Sequence, residues 1–155
     1  MTRDELRDVL TGPQAVLCTI LGEAGGESIE GQVAVGQVIA NRARFPRWWG
    51  GNWRSVCFAP RQFSCWWEGD HANTRMVYDV ATAIATHQPI SEPTLLSQLR
   101  WVTTGVMDEQ LLDPTKSADH YLTVALWRSP QCPDWAKHAT PTIVCGNHAF
   151  FRLEL

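Results

Sequence analysis

The order of local patterns predicts an α+β fold. Helical periodicity dominates the chain as far as Leu112, and short strand patterns follow Asp113-Pro114. The final stretch alternates Phe151, Leu153 and Leu155 against Phe150, Arg152 and Glu154, as a half-buried strand does. The chain has 155 residues and is 45% apolar, which suits one compact domain with its own core, read as residues 1–155.

Thr2 and Glu5 have capping-box spacing before Leu6, Val9 and Leu10, and Gly12-Pro13 is expected to end that short helix. A second helix is expected from about Gln14 to Ala24, with Ala15, Val16, Ile20 and Leu21 inward and Gly25-Gly26 as its break. Ser28 can cap a third, which runs to about Arg44. Its apolar residues lie on nearly every side, the pattern of a helix in the domain centre. Residues 46–74 read as a long irregular segment rich in Trp, Gly and Pro, and such loops are usually functional. Met76, Val77, Val80, Ala81, Ile84 and Ala85 form a helical stripe closed by Pro89, and one or two helical pieces are expected between Pro93 and Leu112. Strands are expected at Tyr121–Leu126, Thr142–Val144 and Ala149–Leu155.

Composition narrows the function. Charged residues make up 19% of the chain without long blocks, and the net charge is -3, so the basic excess of a nucleic-acid binder is missing. The apolar run Ala15 to Leu21 is too short to span a membrane. Met1 to Leu10 carries Asp4, Glu5 and Asp8 and does not read as a signal peptide. Synthesis in a host cytoplasm, with action in the periplasm or cell wall after release, is the expected itinerary, and a monomer the expected state. Five cysteines, with no CxxC pair, read as free thiols. Cys18 is a core thiol, and Cys57/Cys65 or Cys132/Cys145 could pair in an oxidising compartment. His71, His120, His138 and His148 show no metal-ligand spacing, so neither metal nor cofactor is expected.

Two features point to chemistry. Five of the eight tryptophans (Trp48, Trp49, Trp53, Trp66 and Trp67) fall in one short stretch, and aromatic faces suit sugar rings. Glu23 stands at the end of an apolar helix beside a glycine break, where a carboxyl group is a candidate for a raised pKa and for protonating a glycosidic oxygen. Glu23 and Glu27 could equally be surface and capping residues.

Four blocks in order resemble the cell-wall hydrolase family that includes the spore cortex-lytic enzymes. They are Glu23-Ala-Gly-Gly-Glu27 with the following run to Asn41-Arg42; Gln62-Phe63-Ser64; Asp113-Pro114-Thr115 with Ala118, His120 and Tyr121; and Pro133-Asp134-Trp135-Ala136 with Gly146-Asn147-His148 to Arg152. The chain departs from the family pattern at Gly25, at Lys116-Ser117-Ala118-Asp119, where the family often reads Gly-Gly-Ala-Thr, and at Phe151, where it usually has Tyr. The stretch from Pro89 to Leu112 is also longer. The resemblance implies a lysozyme-like, two-lobed domain, mainly helical first and with a small C-terminal sheet. It implies cleavage of the peptidoglycan glycan strand between N-acetylmuramic acid and N-acetylglucosamine. Glu23 would be general acid and then base of a lytic transglycosylase, in a phage or prophage endolysin. Glu27, Gln62, Ser64, His120 and Tyr121 are candidate supporting residues, and Phe63, Trp66, Trp67 and Trp135 candidate sugar contacts. A lysozyme-type hydrolase would need a second carboxylate, from Glu27, Glu30, Asp70 or Asp119. A glycan-binding module without catalysis and a zinc amidase are the other readings.

Overall fold

The computed structural model describes residues 1–67 and 72–155. The candidate carboxylate Asp70 and the candidate ligand His71 lie outside the described residues.

Helix α1 (Arg3–Val9) starts in the expected capping box: Thr2 accepts from the Glu5 backbone, and the Glu5 side chain accepts from the Thr2 backbone. Helix α2 (Gly12–Ala24) corrects the reading of Gly12-Pro13, which opens this helix instead of closing the previous one. Thr11 caps it, and Pro13 sits in the first turn, where a missing N–H costs nothing. Ser28 caps α3 (Ile29–Arg44), which is buried from Gly31 to Arg42. Its buried polar groups are all engaged with other segments. Asn41 donates to Asp113 Oδ2 at 3.0 Å and to the Ala118 carbonyl at 2.9 Å, and Gln37 donates to the Leu111 carbonyl at 3.2 Å. A central helix thereby holds a loop that has little apolar surface of its own.

The segment after α3 is less irregular than the sequence suggested. It contains α4 (Trp53–Cys57), opened by an Asn52 capping box, and α5 (Ser64–Trp67). Then come α6 (Ala72–Ala85) and α7 (Pro93–Met107), a single helix in the stretch where one or two pieces were expected. Gly22 has a packing reason to be glycine. A Cβ there would lie 2.6 Å from Cys65 Cβ and 2.7 Å from Val77 Cγ2, so α5 and α6 can close onto α2 beside Glu23.

The C-terminal part is a three-stranded antiparallel sheet of β1 (His120–Thr123), β2 (Ile143–Cys145) and β3 (His148–Phe151), in the order β1-β3-β2. Tyr121 pairs with Phe150, and Cys145 with His148 across the Gly146-Asn147 turn. Two short helices, α8 (Val124–Trp127) and α9 (Asp134–Lys137), were not foreseen; α8 replaces the second half of the first expected strand. The last strand is also shorter than its alternation implied. It stops at Phe151 because the next backbone N–H groups, Leu153 and Glu154, donate to Asp119 and not to a neighbouring strand. Every residue of β3 is buried. Phe150 packs into the helical core, while Ala149 and Phe151 build a small second core with Leu122, Cys132 and Ala136. The architecture is mostly helical with a small terminal sheet, as the sequence predicted. No described helix is long and apolar enough to cross a membrane.

All five cysteines are free thiols. Burial pushes Cys18 and Cys57 up to about 12, which makes them inert core groups. The tryptophans divide sharply. Trp49 and Trp66 are fully buried, whereas Trp48 is 57% exposed. Trp66 also donates its indole N–H to Thr19 Oγ1 at 2.9 Å, inside the core. Trp66→Ala is therefore expected to cost about 3–5 kcal/mol of stability, and Trp48→Ala no more than about 0.5 kcal/mol. Urea unfolding of the two variants checks this; equal losses would mean the division is wrong.

Candidate active site

A cleft of about 480 Å³ opens between the helical part and the sheet. One side carries Glu23, Arg42, Gln62 and Phe63; the other carries His120, Tyr121 and His148; Trp48 and Trp135 stand at its exposed edge. A more apolar groove of about 390 Å³ lies between α6 and α7 around Met76, Leu95 and Leu99, and it holds none of the motif residues.

Glu23 is half-buried in the last turn of α2. Tyr121, on β1, donates its hydroxyl to Glu23 Oε2 at 2.8 Å. Burial first, and the adjacent Glu23 charge second, hold the Tyr121 phenol well above its ordinary value, so it stays a donor. The Cys65 thiol, on α5, feels the charge of Glu23. Burial and that carboxylate together raise its pKa well above the usual thiol range. The Tyr121 hydroxyl, supplied by the sheet, thus fixes the carboxyl group of Glu23.

Among the described candidates, Glu27 and Asp119 are occupied elsewhere. Glu27 turns toward the β2–β3 hairpin, where Oε1 accepts from the Asn147 N–H at 3.3 Å. Gly146, in the left-handed region at φ +55°, leaves room for this carboxylate, since a Cβ would lie 2.8 Å from Glu27 Oε2. Asp119 is fully buried and accepts from Leu153 N at 2.8 Å and Glu154 N at 2.7 Å. Its pKa is lowered. Burial alone would raise it, but the bonds from His120, Leu153 and Glu154 outweigh the effect of burial. Glu30 is exposed on α3. Among the described residues that line the cleft, Glu23 is the carboxylic acid.

The structure brings together Glu23, Gln62, Phe63, His120, Tyr121 and Trp135 from the motifs. Gln62 accepts from Arg42 Nη1 at 3.3 Å, and Phe63, 2% exposed, forms part of the floor. It does not bring the rest. Trp66 is core, and its carbonyl accepts from Arg7. Trp67 lies under the Arg7 guanidinium, 3.9 Å from the ring centroid, so α1 covers the face expected to meet sugar. Ser64 opens α5 outside the cleft, and Glu27 serves the hairpin. Trp48 lies on the cleft wall, as its place in the tryptophan-rich stretch suggested, whereas Arg42 and Arg61 were not singled out there. Arg61 has one signal only, a positive φ of 61° in a non-glycine residue, and that is invisible in sequence. Among the described residues, no three His, Cys, Asp or Glu side chains converge to hold a metal ion.

A half-buried acid in a cleft rimmed by exposed tryptophans defines a carbohydrate-cleaving type of site. The comparisons with known proteins agree. A model of the Cell Wall Hydrolase family matches residues 26–151, a span that begins just after Glu23. The catalytic domain of the germination-specific lytic transglycosylase SleB from Bacillus anthracis has a similar fold. The TM-score is 0.60 at 23% identity, over 91% of this chain and 93% of that one. The SleB catalytic domain from Bacillus cereus gives the same TM-score and identity, over 91% of this chain and 89% of that one. A search of curated proteins finds no match. The chain belongs to the cell wall hydrolase family and is a peptidoglycan-cleaving enzyme.

His148 gives this site a pH signature. Its Nδ1 lies 3.3 Å from Glu27 Oε1 and makes no hydrogen bond among the described residues. Burial lowers its pKa from 6.5, and the Glu27 charge only partly opposes this. Below pH 6.5 the unfolded chain takes up a proton that the folded chain refuses, so stability falls from 6.5 toward the lower folded value. His148→Gln should lose less stability than wild type between neutral pH and about pH 5.5, because it removes that differential protonation. Urea midpoints measured at both pH values check this, and identical losses would show that folded His148 protonates freely.

Proposed function

We propose that this enzyme cuts the β-1,4 bond between N-acetylmuramic acid and N-acetylglucosamine as a lytic transglycosylase, with Glu23 as its single catalytic acid. The observation that carries this reading is the contrast between Glu23 and the other described carboxylates. Glu23 faces the cleft, while Glu27 and Asp119 are taken up by backbone N–H groups. Hydrolysis by the usual two-carboxylate mechanism needs a second acid across the sugar ring. Intramolecular attack does not, because the C6 hydroxyl of muramic acid is already held near C1. The similar SleB catalytic domain from Bacillus anthracis is that of a germination-specific lytic transglycosylase, which supports this reading.

In this mechanism Glu23 gives a proton to the leaving glycosidic oxygen. It then removes the proton of the C6 hydroxyl as that oxygen bonds to C1, and a 1,6-anhydro product forms. Tyr121 holds the carboxyl group in place through both steps. Gln62, Phe63, Trp48 and Trp135 bind the strand. The chain is proposed to act alone, as one catalytic domain. We also propose that it lyses a host cell as a phage endolysin. Lysis of a Gram-negative host only when a holin is co-expressed tests that setting.

Glu23→Gln should unfold at the wild-type temperature and lose roughly 10²–10⁴-fold in activity, and Glu27→Gln should lose less. Digested peptidoglycan should give mainly anhydro-muramic ends by mass spectrometry, one water lighter than reducing ends. A folded, active Glu23→Gln overturns the assignment of the acid, and reducing ends would establish a hydrolase. Trp135→Ala should raise KM by about three- to tenfold, the expected loss of one sugar-stacking contact. An unchanged KM would remove Trp135 from the binding surface.

A further inference from the structure

We propose that Asp119 is a positioning residue that locks His120 in its Nδ1–H tautomer, so that Nε2 accepts a hydrogen bond from a sugar in the cleft. This rests on the glycan-cleaving reading above.

Asp119 Oδ1 lies 3.0 Å from His120 Nδ1 and also accepts from the Leu153 N–H, while Oδ2 accepts from the Glu154 N–H. A fully buried carboxyl group with three donors around it is held as the ionised, acceptor-only form. It has no proton to give, so the shared hydrogen must sit on Nδ1 of the imidazole. A neutral ring protonated at Nδ1 carries its lone pair on Nε2. That atom is on the far side of the ring from Asp119. It has no hydrogen-bond partner among the described residues, and it is not sealed from solvent.

The ring itself is held in place. Trp135 lies 5.1 Å away and Trp49 6.2 Å away, centroid to centroid, and His120 is a wall of the cleft beside Trp135. The aromatic face of Trp135 and the acceptor at Nε2 therefore meet at one place. A pyranose offers the matching surface: an apolar face of C–H groups with hydroxyl donors around its edge. An N-acetylated sugar adds an amide N–H donor. A hydrophobic peptide would use the Trp135 face but would leave Nε2 unpaired. Asp119 achieves this from outside the cleft, without touching the ligand. Its two backbone acceptor bonds tie the geometry to the turn after β3, so the tautomer depends on an intact C-terminus.

Nitrogen-15 spectra of histidine-labelled protein at neutral pH test the tautomer directly, with His120→Gln used for assignment. His120 should be Nδ1–H in the free enzyme, and its Nε2 resonance should move as a chitooligosaccharide is added. On soluble glycan strands, His120→Phe should raise KM roughly tenfold, the loss of one hydrogen bond, with kcat within about twofold. His120→Gln can put an amide oxygen near the Nε2 position and should stay within about threefold of wild-type KM. In Asp119→Asn, if folded, an Nε2–H population should appear and KM should rise as in His120→Phe. If that variant does not fold, the wild-type spectrum decides. An Nε2–H ring in wild type overturns the proposal, as does a His120→Phe variant with unchanged KM. The spectrum needs no turnover, so it stands even where an active Glu23→Gln has removed the catalytic reading.

Discussion

The buried guanidinium of Arg42 is the contact on which the cleft depends. It donates to the Asp119 carbonyl at 2.7 Å and to Gln62 at 3.3 Å, while the Arg42 carbonyl accepts the Trp49 indole N–H at 2.9 Å. One residue of the central helix therefore fixes the lead-in to β1, the Gln62-Phe63 loop and the Trp48-Trp49 turn. Burial works against its charge, and the nearby Asp119 and Glu154 carboxylates work for it. The Trp49 and Phe63 rings, 5.2 and 5.8 Å from the guanidinium carbon, pack about it without competing for its hydrogens. Removing it would leave several buried acceptors unpaired, at about 1–3 kcal/mol each. An aliphatic residue of the same length could fill the space and keep the backbone bond to Trp49, but could not tie the lead-in to β1 and the Gln62-Phe63 loop to the central helix.

The sequence shows clearly what local physics decides. Capping residues Thr2 and Ser28 sit where side-chain oxygens must meet free backbone N–H groups, and the apolar runs of α2, α3 and α6 sit where one face or all faces are buried. Local patterns are weaker where a distant partner decides. The alternation after Phe151 is real, but no strand lies beside it, and Asp119 takes its N–H groups instead. Trp66 and Trp48 look equivalent in a tryptophan-rich stretch. What separates them is Thr19 on another helix, which receives one indole N–H in the core, and Glu154, which receives the other at the surface. Glu23 was legible because its setting is local: the end of an apolar helix beside two glycines. Trp135 came from the family resemblance, while Arg42, Arg61 and Asp119 acquired their parts only from long-range contacts.

The same chemistry also sorts the carboxylates. Glu27 and Asp119 are bonded by backbone N–H groups, which stabilise the charged form and hold loops together. Their placement lowers the free energy of the fold. Glu23 sits in the last turn of α2, where unsatisfied carbonyls make a negative charge least welcome. Its position does nothing for the helix. A carboxyl group placed against the local electrostatics, with a hydroxyl and a thiol as its neighbours, supports the role proposed for Glu23 as the acid.

That division explains why a small sheet is needed at all. The helices alone would present Glu23 at a helix end with nothing opposite. β1 supplies the hydroxyl of Tyr121, and β3, buried on both faces, keeps β1 at a fixed height over α2. Phe150 presses the sheet onto the helical core, and Phe151 presses the outer layer with Trp135 onto the sheet. Adjacent residues of one strand thereby set the acid's partner and the aromatic edge of the cleft together. A shift of one residue in the β1–β3 register would turn Tyr121 away from Glu23 and Phe150 out of the core at once. The hydrophobic cost of the second fault protects the geometry of the first. The core enforces the position of the acid more strongly than a single hydrogen bond could.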